Sequence, residues 1–82
     1  MSAADKIRNY AYKHFIRPAK ERGDISVKIS ARDVHEGLSM TSQFPNVCQA
    51  LSGKKFYLKY HLSIPEVIGP NPSSTTHFIY KL

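Results

Sequence analysis

Residues 25–51 read ISVKISARDVHEGLSMTSQFPNVCQAL, and within them the apolar spacing changes from strand-like to helix-like. Residues 25–29 alternate apolar and polar side chains, and the apolar ones are all β-branched, which is typical of a half-buried strand. Ser30 is a good N-cap, and a helix is predicted over residues 31–38. We therefore expect a strand that leads directly into a helix.

A further helix is predicted after the polar link at residues 39–43. Pro45 suits a first helical position, because its missing N–H would have no intrahelical partner there. Gly53 is the expected end of this helix. Its apolar stripe consists of Val47, Cys48 and Leu51. The segment therefore predicts two short helices joined by a brief link.

The chain before this segment predicts one amphipathic helix over residues 5–22. Apolar residues recur there at intervals of three and four, while Lys and Arg fall mostly on the other side. Pro18 lacks a backbone donor and disfavours helical geometry at the residue before it. We expect the helix to kink at Pro18 and to continue as far as Gly23.

The carboxyl-terminal part predicts a β-hairpin. Residues 60–68 and 75–82 are rich in β-forming side chains, and Pro65 suits an edge strand better than a central one. Residues 69–74, GPNPSS, have the composition of a turn. The lysines at residues 54–55 are expected in a turn that precedes the hairpin.

The predicted order is helix, strand, helix, helix, strand, strand. This order indicates an α+β winged helix-turn-helix fold, with three helices and a small three-stranded antiparallel sheet. With 82 residues, the chain is expected to form a single domain over residues 1–82. A core of this size is modest.

The composition favours a polyanionic partner. Twelve Lys and Arg against six Asp and Glu give a formal net charge of +6, and such an excess attracts polyanions over long range. No apolar run approaches the roughly 20 residues that span a bilayer. The amino terminus has no signal-peptide core, and Cys48 has no second cysteine with which to pair. We expect a cytoplasmic protein with no membrane association.

The sequence contains no motif for catalysis. The four histidines show no metal-ligand spacing, and Cys48 lies among apolar neighbours, where thiols are usually inert. No glycine-rich phosphate loop, carboxylate pair or catalytic triad signature is present. We therefore predict no enzyme activity, no metal and no cofactor.

Three motifs resemble those of a group of small winged-helix proteins and domains found in archaea. They are DVH at residues 33–35, PNVCQAL at 45–51 and KKF at 54–56. The resemblance covers most of residues 5–82 and implies a DNA-binding fold, such as that of a small transcriptional regulator. Residues 39–42 depart from the pattern, because they lack a basic residue near the start of the third helix.

If duplex DNA is the partner, the third helix would lie in the major groove. Its side chains expected to meet base edges are Ser42, Gln43, Asn46 and Gln49. The side chains expected to contact phosphates are Lys54, Lys55 and Lys59. The hairpin tip has no Lys or Arg, so it would offer only backbone amides and hydroxyls.

Other interpretations of the same residues stay open. The polar side chains of the third helix and the lysines after it are also compatible with an ordinary solvated surface. The cations of the first helix fit a solvated face, although Arg8 or Lys13 could reach a DNA backbone. The alternative function is a winged-helix protein-interaction module, using the sheet or residues 57–68 to hold a partner, which could be a second copy of the chain.

Overall fold

In the computed structural model, which describes residues 2–82, the predicted first helix is a continuous helical rod. It consists of α1 (Ala3–Ala11), a π-helical segment (Tyr12–Ile16) and α2 (Arg17–Arg22). The N–H of Arg17 bonds to the Tyr12 carbonyl five residues earlier, so the widened turn directly precedes Pro18. The predicted continuation through Pro18 is confirmed, and a π turn accommodates the proline.

The strand and the two helices of residues 25–52 follow the prediction closely. They are β1 (Ser26–Ser30), α3 (Ala31–Gly37) and α4 (Phe44–Ser52). The Ser30 hydroxyl accepts a hydrogen bond from the Arg32 N–H at 3.2 Å, which confirms Ser30 as the N-cap of α3. The strand was predicted over residues 25–29, but it begins at Ser26, and Ile25 just before it is 85% exposed.

The predicted turn at Lys54 and Lys55 is wrong, because residues 54–59 form a further helix, α5 (Lys54–Lys59). Gly53 has extended backbone geometry that ends α4, and its carbonyl accepts the Phe56 N–H at 3.1 Å. Phe56 is buried and stands edge-on to Tyr60, at 5.6 Å between ring centroids, so apolar burial of one aromatic side chain favours the helix.

The predicted strand over residues 60–68 is also too long. Only β2 (Glu66–Ile68) is a strand, and it begins immediately after Pro65. Proline cannot donate to a strand ladder, so it interrupts the pairing between β2 and the Ser63 N–H, which donates to the Lys81 carbonyl at 3.3 Å. The last strand is β3 (His77–Lys81), which lies within the predicted residues 75–82.

The three strands form an antiparallel sheet in the order β1-β3-β2. Phe78 of β3 lies opposite Ile29 on one side and Val67 on the other. The chain is thus an α+β protein with a small three-stranded antiparallel sheet and several helices. The predicted element order needs α5 inserted before the hairpin, and Met1 of the predicted domain lies outside the described residues.

The core lies between the helices and one face of the sheet. Its largest fully buried side chains include Tyr80, Phe56, Phe78, Ile7 and Ile16. The Tyr80 hydroxyl donates a hydrogen bond to the Leu51 carbonyl, one of the last four carbonyls of α4. The buried Tyr80 side chain therefore connects β3 to the end of α4, and its hydroxyl has a hydrogen-bond partner.

A close contact joins the first helix to α3. The Tyr10 side chain lies over Gly37, where a Cβ atom would stand 1.9 Å from the Tyr10 hydroxyl oxygen. No side chain larger than hydrogen fits at residue 37 without moving Tyr10. The glycine at the end of α3 is therefore explained by packing, although it weakens the helix.

Replacing Tyr80 by Phe tests the contact between β3 and α4. Tyr80→Phe leaves the Leu51 carbonyl without its partner, so we expect the free energy of unfolding to fall by about 1–3 kcal/mol near pH 7. Burial raises the pKa of Tyr80. The folded state thus holds this proton more tightly than the unfolded chain, and the wild type loses stability as the pH rises above about 10.

Urea unfolding of both proteins at about pH 7 and about pH 11 measures this effect. The stability advantage of the wild type should shrink at the higher pH, because Phe has no proton to lose. The other ionisable groups are the same in both proteins, so their contributions cancel in the difference between the two unfolding free energies. An advantage that is equal at the two pH values would contradict the assignment.

Candidate nucleic-acid interface

The exposed side of α4 carries the predicted base-reading side chains. Asn46 and Gln49 are exposed, while the apolar residues between them face the core. Gln43 precedes the helix, and its Oε1 accepts a hydrogen bond from Asn46 Nδ2 at 3.2 Å. Ser42 is exposed one residue earlier, with left-handed backbone geometry at φ 53°. These four side chains therefore cluster at the start and along the outer face of one helix.

His35 fixes α4 relative to α3. Its Nε2 accepts a hydrogen bond from the Gln43 N–H at 3.1 Å, and its ring stacks on Phe44 at 3.9 Å between centroids. The ring is buried, and in this hydrogen bond its Nε2 acts as the acceptor. Sequence analysis assigned no role to His35, because its partners lie beyond an irregular link that shows no periodicity.

A groove of about 420 Å³ runs beside α4, between the start of α1 and the start of α5. Its polar and charged lining comes from all three helices. These side chains are Arg8, Asn46, Gln49, Lys54 and Lys55. The structure therefore brings four of the seven predicted site residues together and adds Arg8.

Arg8 is recessed in this groove, with its side chain only 15% exposed. Its guanidinium lies 2.6 Å from Asp5 Oδ1. Hydrogen bonds from Arg8 and from Ser2 hold the pKa of the Asp5 carboxyl below its usual range. Asp5 therefore stays ionised and holds Arg8 in place.

Lys59 lies apart from the groove. Its Nζ stands 5.3 Å from the centroid of the Tyr60 ring, which stacks on Tyr12 at 4.0 Å. Lys20 donates to the Tyr60 carbonyl at 2.7 Å, which places this end of α5 beside α2. Lys59 follows Lys55 by one turn of α5, but its side chain lies over the Tyr60 ring and does not line the groove.

Arginines and lysines differ in how they are paired. In residues 2–82, each ion pair uses an arginine and a nearby acid. These pairs are Arg8–Asp5, Arg17–Glu21, Arg22–Asp24 and Arg32–Glu36. Within the same described residues, no lysine has a carboxylate partner, so the lysines carry the excess positive charge.

The hairpin loop lies on the other flank of α4. Asn71 and Pro72 border a depression of about 230 Å³ with Gln49 and Ser52 of α4. The loop is held by its own hydroxyls, since Ser73 Oγ donates to the Pro70 carbonyl at 2.9 Å. Gln49 borders both this depression and the groove, so the outer face of α4 lies between the uncharged loop and the cationic groove.

No protein-family model matches the chain, and no curated protein and no solved structure is significantly similar to it. In residues 2–82, no helix is both long enough and apolar enough to cross a membrane. Across the same span, no three His, Cys, Asp or Glu side chains are grouped to hold a metal ion. Function is therefore inferred from the chemistry of the α4 surface and the groove.

His35→Phe tests the joint between α3 and α4. Phenylalanine keeps the stacking with Phe44 but leaves the Gln43 N–H without an acceptor, so we expect the free energy of unfolding to fall by about 1–3 kcal/mol. Urea unfolding measures the change. His14→Phe is the matched control, since the exposed His14 ring only stacks on Tyr10. Equal effects of the two substitutions would show that the Gln43 contact does not contribute.

Proposed function

We propose that the chain is a winged-helix protein that binds duplex DNA with the outer face of α4. The element order supports the fold assignment, because β1 precedes the α3–α4 pair and β3 lies between β1 and β2. On this proposal α5 is an insertion between the second helix of the helix-turn-helix and the wing. The loop between β2 and β3 lies beside α4, as a wing would.

The observation that carries the proposal is the combination of side chains along α4. Asn46 and Gln49 offer amide donors and acceptors. Lys54 and Lys55, which come later in the sequence, line the same groove. Amides of this kind recognise base edges, adenine in particular, whereas lysines contact phosphates whatever the sequence. A helix that carries both kinds of side chain on its exposed side suits the major groove.

Gln43 and Ser42 would act at the amino-terminal end of α4, where recognition helices approach base edges. The hydrogen bond from Asn46 to Gln43 occupies one donor of the Asn46 amide and orients it. The Asn46 Oδ1 acceptor and a second N–H stay available, which is the pair that adenine N6 and N7 require. Gln43 is therefore proposed as a positioning residue for Asn46.

The proposed affinity is modest and depends strongly on salt. Lys54 and Lys55 are the proposed phosphate contacts, while Lys59 lies apart and the wing has no cation. Each phosphate that is neutralised contributes about −0.9 to the slope of log K against log salt. Two such contacts give a slope of about −1.8 and an affinity typical of non-specific binding.

The test is a titration of labelled duplex with the wild type and with the double variant Lys54→Glu, Lys55→Glu. We expect the variant to lose at least about tenfold in affinity at low salt for every duplex, because phosphate contacts are independent of sequence. The matched control is Lys28→Glu with Lys81→Glu, which gives the same net charge. Those lysines lie on the face of the sheet opposite the core.

The comparison separates docking from general attraction. Equal losses in the two double variants would contradict docking through α4 and leave only a charge effect. An absence of duplex binding by the wild type at low salt would contradict the proposal itself. Asn46→Ala should change the preference among sequences more than the mean affinity, since it removes a base contact and no charge.

A second candidate is a protein-interaction module formed with a second copy of the chain. β2 is an edge strand, and all three of its residues are exposed. Leu58 and Ile64, which precede it, are 64% and 75% exposed. Antiparallel pairing of two β2 edges would be self-complementary and would cover this apolar surface. Sedimentation equilibrium tests it: Val67→Lys should abolish self-association, and a wild type that stays monomeric would contradict this candidate.

A further inference from the structure

We propose that the groove between α1, α4 and α5 binds one adenine nucleotide unit, with the phosphate on its cations and the base against its amides. The inference rests on the proposed assignment of the α4 surface to nucleic acid, and it names the ligand that the adjoining groove takes. Lys54 and Lys55 supply the excess positive charge, Arg8 supplies guanidinium donors beside its ion pair with Asp5, and Asn46 and Gln49 supply the amides.

The bottom of the groove is made by small residues. Ala50 is buried and Ala4 and Gly53 are half-buried, so the groove exists because no long side chain fills the space between the helices. Its volume of about 420 Å³ lies within the roughly 300–1,000 Å³ typical of small-molecule sites. A base has an apolar face that can lie on alanine methyl groups, whereas a phosphate needs the rim.

The position of Arg8 distinguishes a single nucleotide from a duplex. Its side chain is recessed and held by Asp5, so the broad backbone of a double helix meets Lys54 and Lys55 first. A single phosphate that enters the groove can approach Arg8 as well as the lysines. Guanidinium groups bind phosphate oxygens in a bidentate manner and are preferred wherever that geometry matters.

The amides suit a base that has an acceptor beside an amino group, as adenine has. Adenine presents an acceptor and an amino donor on adjacent atoms, which match the acceptor and donor of one Asn or Gln side chain. Asn46 is oriented by Gln43, and Gln49 follows one turn later on the same exposed side. Uracil and thymine have no amino group, so they cannot form the same pair of hydrogen bonds.

Two sources could supply the ligand. One is a free nucleotide, which would compete with DNA because the groove shares Asn46, Gln49 and both lysines with the proposed DNA surface. The other is an unstacked nucleotide of a single strand. The groove would recognise the same base and phosphate in both cases. The two sources are therefore distinguished by the ligand that is titrated.

The experiment is a calorimetric titration of the full chain with adenosine monophosphate, adenosine, inorganic phosphate and uridine monophosphate. We expect adenosine monophosphate to bind at least about tenfold more tightly than any of the other three, since only it uses both halves of the groove. Equal affinity for inorganic phosphate would overturn the proposal, because the groove would then be an anion site. Equal affinity for uridine monophosphate would overturn its assignment to adenine.

Ala3→Leu separates the groove from the duplex surface. Ala3 is exposed at the mouth of the groove, and leucine is a good helix former that adds bulk without changing charge. We expect Ala3→Leu to lower the affinity for adenosine monophosphate by at least about tenfold and the affinity for duplex by less than about twofold. Urea unfolding checks that the variant folds. An unchanged nucleotide affinity in the folded variant would overturn the proposal.

Arg8→Gln and the pair Lys28→Ala, Lys81→Ala complete the design. Arg8→Gln should weaken nucleotide binding strongly and duplex binding little. The double variant Lys28→Ala, Lys81→Ala should change neither affinity. A wild type that binds duplex but not the nucleotide would overturn this inference and leave the proposed function. One that binds the nucleotide but no duplex would support the groove and contradict duplex binding. Displacement of the nucleotide by a short single-stranded oligonucleotide would identify the unstacked strand as a source.

Discussion

The hydrogen bond from the Tyr80 hydroxyl to the Leu51 carbonyl sets the position of α4 on the sheet. Tyr80 lies on the central strand, and its ring stands edge-on to Phe56 at 5.4 Å between centroids. One buried side chain thus contacts the end of α4 and the first turn of α5. Because the groove is the space that these two helices leave beside α1, its shape depends on how that side chain is packed.

Local sequence signals predicted the part of the fold that precedes Gly53. Ser30 as a cap, Pro45 in the first turn and the alternation of residues 25–29 each act within one element, so they can be recognised without tertiary structure. α5 was missed because six residues give too few repeats to show a helical period, and its aromatic residues suit a strand equally well. Its stability comes from burying Phe56, which is a tertiary effect.

The candidate site residues divide in the same way, into those that local sequence predicts and those that tertiary contacts position. Asn46, Gln49, Lys54 and Lys55 were predictable because their exposure follows from α4 periodicity and from their position just beyond its end. Arg8 was predicted only as a cation that could reach a DNA backbone, because its place across the groove from α4 depends on tertiary packing. No role was predicted for His35, since it contacts Gln43 across an irregular link. Lys59 was predicted together with the same lysines but does not line the groove, since its Nζ lies over the Tyr60 ring.

Arginines and lysines differ in whether a nearby carboxylate pairs with them. Each arginine is held by a nearby carboxylate, and those exposed pairs contribute little to stability. Lysines without such partners occur on α1, on the sheet and on α5. On the proposed function, this spread of charge would attract DNA without fixing one orientation. Orientation then depends on side chains that form geometric contacts. On α4 and its groove these are the amides of Asn46 and Gln49 and the recessed guanidinium of Arg8, which lie at one place on the surface.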